Sequence, residues 1–206
     1  MPDQVKATRA DKRRAILDAA IRVFARQGYH STRVADIADE AGVAYGLVYH
    51  YFRSKEAVMT ELFTERWSLL LAAIEEVDGQ SLTGREKLDA VAGFIIDSYR
   101  YEPELMKVII VEVTRAANSF GRTHLPEIRR AYDLIAKIVA DAEAAGEFRN
   151  DVDPEFASMW FYGAIEQLLS GWVFELIPAG EGDFDRAREM VVEAVCEGLE
   201  TAPRGS

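Results

Sequence analysis

The chain has 206 residues, 49% of them hydrophobic, three histidines, one cysteine and a formal net charge of −11. This is apolar material for one substantial core, or for a small module joined to a larger one, and too much for an unfolded chain. A lone Cys196 excludes an internal disulfide and a thiol metal cluster and reads as a buried apolar thiol. No run approaches the roughly 18 consecutive apolar residues of a membrane span, so a cytoplasmic protein with no membrane partner is expected. Residues 1–66 carry eleven Lys/Arg against nine Asp/Glu, and residues 67–206 carry thirteen against twenty-six. A phosphate backbone would attract the first part and be repelled by the second, although a chance asymmetry would look the same.

Taken in chain order, apolar residues recur with a 3.6-residue period from Lys12 almost to the C-terminus, and no period-2 runs bounded by turn residues occur. This predicts an all-α fold of about nine helices. The first runs from about Ala10 to Gln27, with Ile16, Ala20, Val23 and Phe24 on one face and Gly28 closing it. Thr32 is expected to cap a short second helix through Ala41, which Gly42 breaks. A third spans Tyr45 to Tyr51, and Ser54 opens a long fourth reaching Val77. After the loop Asp78–Gly84, Thr83 and Glu86 have the spacing of a capping box for the next helix. Pro103 begins a helix to about Ala117, and Pro126 begins one ending before Gly146. Asp153-Pro154 opens a helix ending near Ile177-Pro178, and Asp183 opens the last, to Leu199. The tail from Ala202 to Ser206 is expected to be unstructured.

The segment Thr32–Lys55 reads as a helix, a glycine turn and a second helix, the arrangement that presents a recognition helix to the major groove. Ile37, Ala38, Val43, Val48 and Phe52 would pack inward on Phe24, and Gly42 would supply the positive φ of the turn. Thr32, at a helix N-terminus, suits a phosphate oxygen, and Arg33 adds a charge beside it. Ala44, Tyr45, Gly46 and Leu47 would meet the groove first, the glycine allowing close backbone approach. Tyr49, His50 and Tyr51 offer donors to phosphates, and Lys55 would reach the backbone from the fourth helix.

Residues Arg13–Met59 resemble the DNA-binding domain of the TetR family of one-component regulators. The resemblance is carried by Phe24, Gly28-Tyr29, Thr32, Ile37-Ala38, Ala41-Gly42-Val43, Tyr49-His-Tyr-Phe52 and Ser54-Lys55-Glu56. It implies phosphate contacts by Thr32, Tyr49, Tyr51 and Lys55 and base reading by Tyr45 and Gly46. The chain departs from the family at Ala44 and Leu47, where Ser or Thr is common, and at Tyr45, where Lys or Arg is frequent. The expected organisation is a helix-turn-helix domain at 1–56 and a ligand-binding and dimerisation domain at 57–206, with 57–77 as the connecting helix.

Two half-sites on one duplex require a dimer. The last two helices carry wide apolar faces, with Phe156, Trp160, Gly163, Gln167, Leu168 and Gly171 on one and Met190, Val191, Ala194, Val195 and Leu199 on the other. The family resemblance implies that they form a four-helix bundle with their mates; tight packing within one chain would use the same residues. Aromatics crowd the stretch Phe156–Phe174, as a pocket wall or a core helix would require. A cavity lined by Phe94, Tyr99, Val108, Ile109, Trp160, Gly163 and Trp172, with Glu112, Arg115 and Gln167 as polar groups, would take a small hydrophobic effector. The run Phe161–Val173 is similar to the corresponding helix of acyl-CoA-responsive TetR relatives that repress fatty-acid degradation. It implies an acyl-CoA effector, with Arg115, Arg122, Arg129 or Arg130 meeting CoA phosphates; another aromatic or lipophilic ligand, as in regulators of efflux or catabolic operons, remains the alternative. His30, His50 and His124 have no metal-ligand spacing and no nucleophile or phosphate-loop motif occurs, so neither an enzyme nor a bound cofactor or metal is expected.

Overall fold

The computed structural model describes residues 8–114 and 123–200, all helix, turn and loop apart from one isolated antiparallel bridge between Phe148 and Glu200. The expected tail and the stretch leading to Ala117 lie outside the described residues. The described helices are α1 (Arg9–Gln27), α2 (Val34–Glu40), α3 (Tyr45–Tyr51), α4 (Lys55–Asp78), α5 (Gly84–Tyr101), α6 (Pro103–Thr114), α7 (Leu125–Ala144), α8 (Pro154–Val173) and α9 (Glu181–Leu199).

Local chemistry explains the boundaries. Thr8 and Asp11 satisfy each other's backbone N–H groups at the start of α1, and Thr83 and Glu86 do so at α5, as their spacing predicts. The Ser54 hydroxyl accepts from the Ala57 N–H at 3.2 Å, and the Asp153 carboxylate accepts from Glu155 N–H at 2.8 Å, so α4 and α8 begin where expected. Two ends differ. The last helix starts at Glu181 on a Gly180 cap, because Asp183 serves one turn in, accepting from the Gly180 N–H at 3.0 Å. Helix α8 stops at Val173, where the Leu176 N–H turns back to the Gly171 carbonyl and Glu175 takes φ 56°.

Helices α1, α2 and α3 pack together around Phe24, Ile37, Ala38, Val48 and Phe52, all buried, with Val43 half-buried at their edge. Gly42 has φ +65° between α2 and α3, a conformation costly to a residue with a Cβ. In the body α5 is central, touching α4, α6, α7, α8 and α9, and α8 packs between α7 and α9. Helix α4 runs from the N-terminal module into this body, where it packs on α5 and α7. Helix α1 also packs on α6, so the two parts are joined at a second place. Cys196 is buried in the core, and burial pushes its thiol up to about 11, which keeps it protonated.

Candidate functional site

On α3 the residues expected to meet DNA face outward. Tyr45 is 53% and Tyr49 43% exposed, their hydroxyls 3.1 Å apart and their rings edge to face; His50, Gly46 and the capping residue Ala44 are exposed too. A Cβ on Gly46 would meet nothing within 4 Å, so the glycine keeps the helix surface low rather than relieving a clash. Tyr51 and Leu47 are half-buried; the Tyr51 ring lies beside His50 and under Arg9.

The two expected anchors at the module's edge are placed differently. Thr32 is 2% exposed, and its hydroxyl donates to the Gly28 carbonyl at 2.8 Å, closing the turn after α1; Arg33, exposed, occupies the cap position of α2 instead. The Lys55 ammonium donates to the carbonyls of Tyr29, His30 and Thr32 at 2.9, 3.1 and 3.0 Å and lies over the Tyr29 ring. Both residues therefore correct the sequence expectation: an orphaned run of carbonyls between α1 and α2 takes the donors that were expected to face phosphates. The even spread of N-terminal cations is likewise deceptive. Arg13 pairs with Glu61, Arg14 with Asp18, and Arg22 and Arg26 with Glu40. Among the described residues of the module Arg9, Lys12, Arg33 and Arg53 are exposed and form no salt bridge; Arg53, just after the buried Phe52, escaped the motif-based reading.

In the body a small pocket, about 40 Å³ of cavity opening into a wider mouth, lies between α4, α5, α6 and α8. Phe94 and Ile109 line it as expected, joined by Trp67, Leu70, Met106 and Leu169. Its polar groups are Arg66, Ser98, Tyr162 and Glu166. The other expected lining residues lie elsewhere. Tyr99 stacks on the buried Trp172 at 5.5 Å, and both pack on Phe184 in the core. Val108 points to α1 with Lys107 and Val111, against Phe24, Ala25, Gly28 and Tyr29. Arg115 lies outside the described residues, as does the Glu112 side chain; so does Arg122. Arg130 pairs with Glu75 at 2.5 Å, while Arg129 lines an outer groove with Tyr132, whose ring meets Tyr162 edge-on at 5.2 Å. The sequence reading missed Arg66, Trp67, Tyr162 and Glu166, because a helix apolar on several sides does not reveal which side faces a cavity.

Burial raises the Glu166 carboxyl above the ordinary carboxylate range and lowers the Arg66 guanidinium against the pull of Glu102. The folded chain therefore holds the Glu166 proton to higher pH than the unfolded chain does. Stability contributed at this site is present at low pH and lost as pH rises through the raised value. Glu166→Gln should melt above the wild type at pH 8 and together with it at pH 4, in paired thermal melts.

Trp160, Gly163 and Gln167 are on the opposite face of α8 from Tyr162, Glu166 and Leu169. With Phe156 and Met159 they form an outward stripe at helical spacing, in which Phe156 is 73% and Trp160 52% exposed. The Trp160 ring crosses Gly198 of α9, a helix on which Met190 and Ala194 are also exposed. Val191, Val195 and Leu199, expected on the α9 face, are in the core, and Gly171 is covered by Ile177.

The chain thus combines a three-helix module, with an aromatic outward α3, and a helical body holding a pocket. Residues 16–62 match the bacterial regulatory proteins of the tetR family, and residues 85–195 match the tetracyclin repressor-like C-terminal domain. The chain belongs to the TetR family. It is a DNA-binding transcriptional regulator by that membership. It is 31% identical to the fatty acid metabolism regulator protein of Bacillus subtilis over 77% of this chain and 81% of that one. It is 28% identical to the HTH-type transcriptional repressor KstR2 of Rhodococcus jostii, over 93% and 92% of the two chains. The crystal structure of FadR from Bacillus subtilis in complex with stearoyl-CoA is 26% identical and superposes with a TM-score of 0.80, covering 91% of this chain and 99% of that one. Among the described residues no helix is long and apolar enough to cross a membrane, and no group of three His, Cys, Asp or Glu is placed to hold a metal ion.

Proposed function

We propose that this TetR-family protein is a cytoplasmic, homodimeric repressor that holds operator DNA with residues 1–56 and releases it when residues 57–206 bind a long-chain acyl-CoA. The observation that carries the effector assignment is the apolar pocket between α4, α5, α6 and α8, in a chain similar to a regulator solved with stearoyl-CoA. Tyr45 and Gly46 read bases, Tyr49, His50 and Tyr51 steady the phosphates, and Arg33 with Arg53 supplies charge. The outward stripe of α8 with α9 forms the dimer contact. The acyl chain enters at this pocket by parting its walls, and Arg129 in the adjoining groove meets the CoA phosphates.

Two helices connect effector to DNA. Helix α6 turns Met106, Ile109 and Ile110 to the pocket and Lys107, Val108 and Val111 to the end of α1. Helix α4 lines the pocket with Arg66, Trp67 and Leu70 and, about 16 Å away at 1.5 Å per residue, holds the turn after α1 through Lys55. A chain that spreads α4 from α6 therefore shifts the module and the separation of the two recognition helices. A preference of about 3 kcal/mol for the DNA-incompetent state weakens operator binding on the order of a hundredfold. Fluorescence anisotropy with the DNA upstream of the protein's own gene tests this: added stearoyl- or palmitoyl-CoA is expected to reduce affinity by that amount. Unchanged affinity across acyl lengths would reject the acyl-CoA assignment.

A further inference from the structure

The pocket between α4, α5, α6 and α8 does not hold an acyl chain as it stands. Its cavity of about 40 Å³ has room for a few waters, whereas a cavity of about 150 Å³ holds a single benzene. The outer groove between α7 and α8 is the roomier space, about 240 Å³, with Arg129 in its lining. The two spaces follow one another along α8. Ser158 lines the groove, and Tyr162, Glu166 and Leu169, about one, two and three turns further on, line the pocket, so one stripe of the helix faces both over about 16 Å. Two rings stand between them. Tyr132 of α7 lines the groove and Tyr162 lines the pocket, and they meet edge-on with centroids 5.2 Å apart. Both are half-buried, and among the described residues no hydrogen bond fixes either hydroxyl, so turning a ring breaks ring packing alone. Beyond Tyr162 the aromatic contacts continue into α4: Trp67 lies 6.4 Å from the Tyr162 ring and stacks on Phe63 at 5.0 Å. The Trp67 indole N–H donates to the Glu127 carbonyl of α7 at 2.8 Å, which ties α4 to the helix that carries Tyr132.

We infer that Tyr132 and Tyr162 form a gate between groove and pocket and thereby set the acyl-chain length to which the protein responds. This rests on the acyl-CoA reading and adds a length requirement to it. The CoA end stays in the groove by Arg129, and the chain runs along the α8 stripe toward Leu169. A short chain ends before the two rings and leaves α4 where it was. A long one displaces them, reaches Trp67 and Leu70, and moves α4 relative to α7. Binding and operator release are therefore separate events, and only chains that cross the rings produce the second. Because a long chain is accepted only by the fraction of molecules with the rings parted, the closed gate also lowers its affinity.

Isothermal titration and operator anisotropy on the full chain with butyryl-, octanoyl- and palmitoyl-CoA test the gate. In the wild type butyryl-CoA is expected to bind while changing operator affinity by less than about threefold, and palmitoyl-CoA to weaken it on the order of a hundredfold. Tyr132→Ala should bind palmitoyl-CoA about tenfold more tightly, since no outer ring has to move, and Tyr132→Trp about tenfold or more weakly. Butyryl-CoA, which stops short of the rings, should change by less than about threefold in both variants. Thermal melts establish that each variant folds; Tyr132→Leu, which keeps apolar bulk without the ring, takes the place of Tyr132→Ala if that chain does not. Palmitoyl-CoA affinity that is the same in the wild type and in both variants overturns the gate and leaves the acyl-CoA reading standing. Operator release by butyryl-CoA to the same degree as by palmitoyl-CoA does likewise. Absence of binding by every acyl-CoA in the wild type rejects the acyl-CoA reading, and the gate with it.

Discussion

Replacing Lys55 by alanine is expected to cost roughly 2–4 kcal/mol of stability in the N-terminal module and to weaken operator binding without flattening its salt dependence. The reason is where the ammonium goes. It donates to three carbonyls of the turn between α1 and α2 and lies over Tyr29, so its removal frees three acceptors in a half-buried site and loosens the position of α2. A phosphate contact behaves otherwise: each one lost lowers the slope of log affinity against log salt by about 0.9. Arg33→Ala supplies that comparison, because Arg33 is exposed at the cap of α2 and forms no salt bridge. Urea unfolding and anisotropy titrations across a salt series separate the two. A Lys55→Ala protein of wild-type stability with a slope reduced by about one would show that the ammonium leaves the carbonyls for DNA.

Trp160→Glu is expected to split the proposed dimer and, with it, to reduce operator affinity on the order of a hundredfold or more. Trp160 lies in the outward stripe of α8 with Phe156 and Met159, its ring across Gly198. A buried aromatic anchor of this kind contributes about 2–4 kcal/mol to an interface, and a carboxylate in its place must be desolvated in both copies. Native mass spectrometry should report monomer at concentrations where the wild type is dimeric, while the melting profile of the separated chain remains cooperative. Acyl-CoA binding should survive, because the pocket is on the other face of α8. Loss of ligand with the dimer intact would instead put Trp160 in the effector site.

The first prediction departs from a reading that the sequence invited, and the second follows one of the two it left open for Trp160. Tyr45, Gly46 and Tyr49 could be assigned to an outward face because Val48 and Phe52, at helical spacing, had to turn inward on Phe24. Thr32 and Lys55 could not be assigned so, since a hydroxyl and an ammonium serve a phosphate and a backbone carbonyl equally well. The choice depends on which carbonyls the neighbouring turn leaves without donors, and that is decided by the path of residues 28–32 in space. For the pocket the ambiguity was greater. Helix α8 has apolar residues on nearly every side, so Trp160, Gly163 and Gln167 were as eligible as Tyr162, Glu166 and Leu169 until its neighbours were known.

Helix number, most caps, the turn at Gly42 and the outward face of α3 were determined by the sequence alone, because each depends on residues within one or two turns of each other. The tertiary structure alone decided which face of α8 meets the pocket, which meets solvent, that Arg66 of α4 shares a cavity with Glu166, and that Lys55 closes a turn. Those choices depend on contacts between segments distant in the chain, where one residue type satisfies several environments and only packing selects among them.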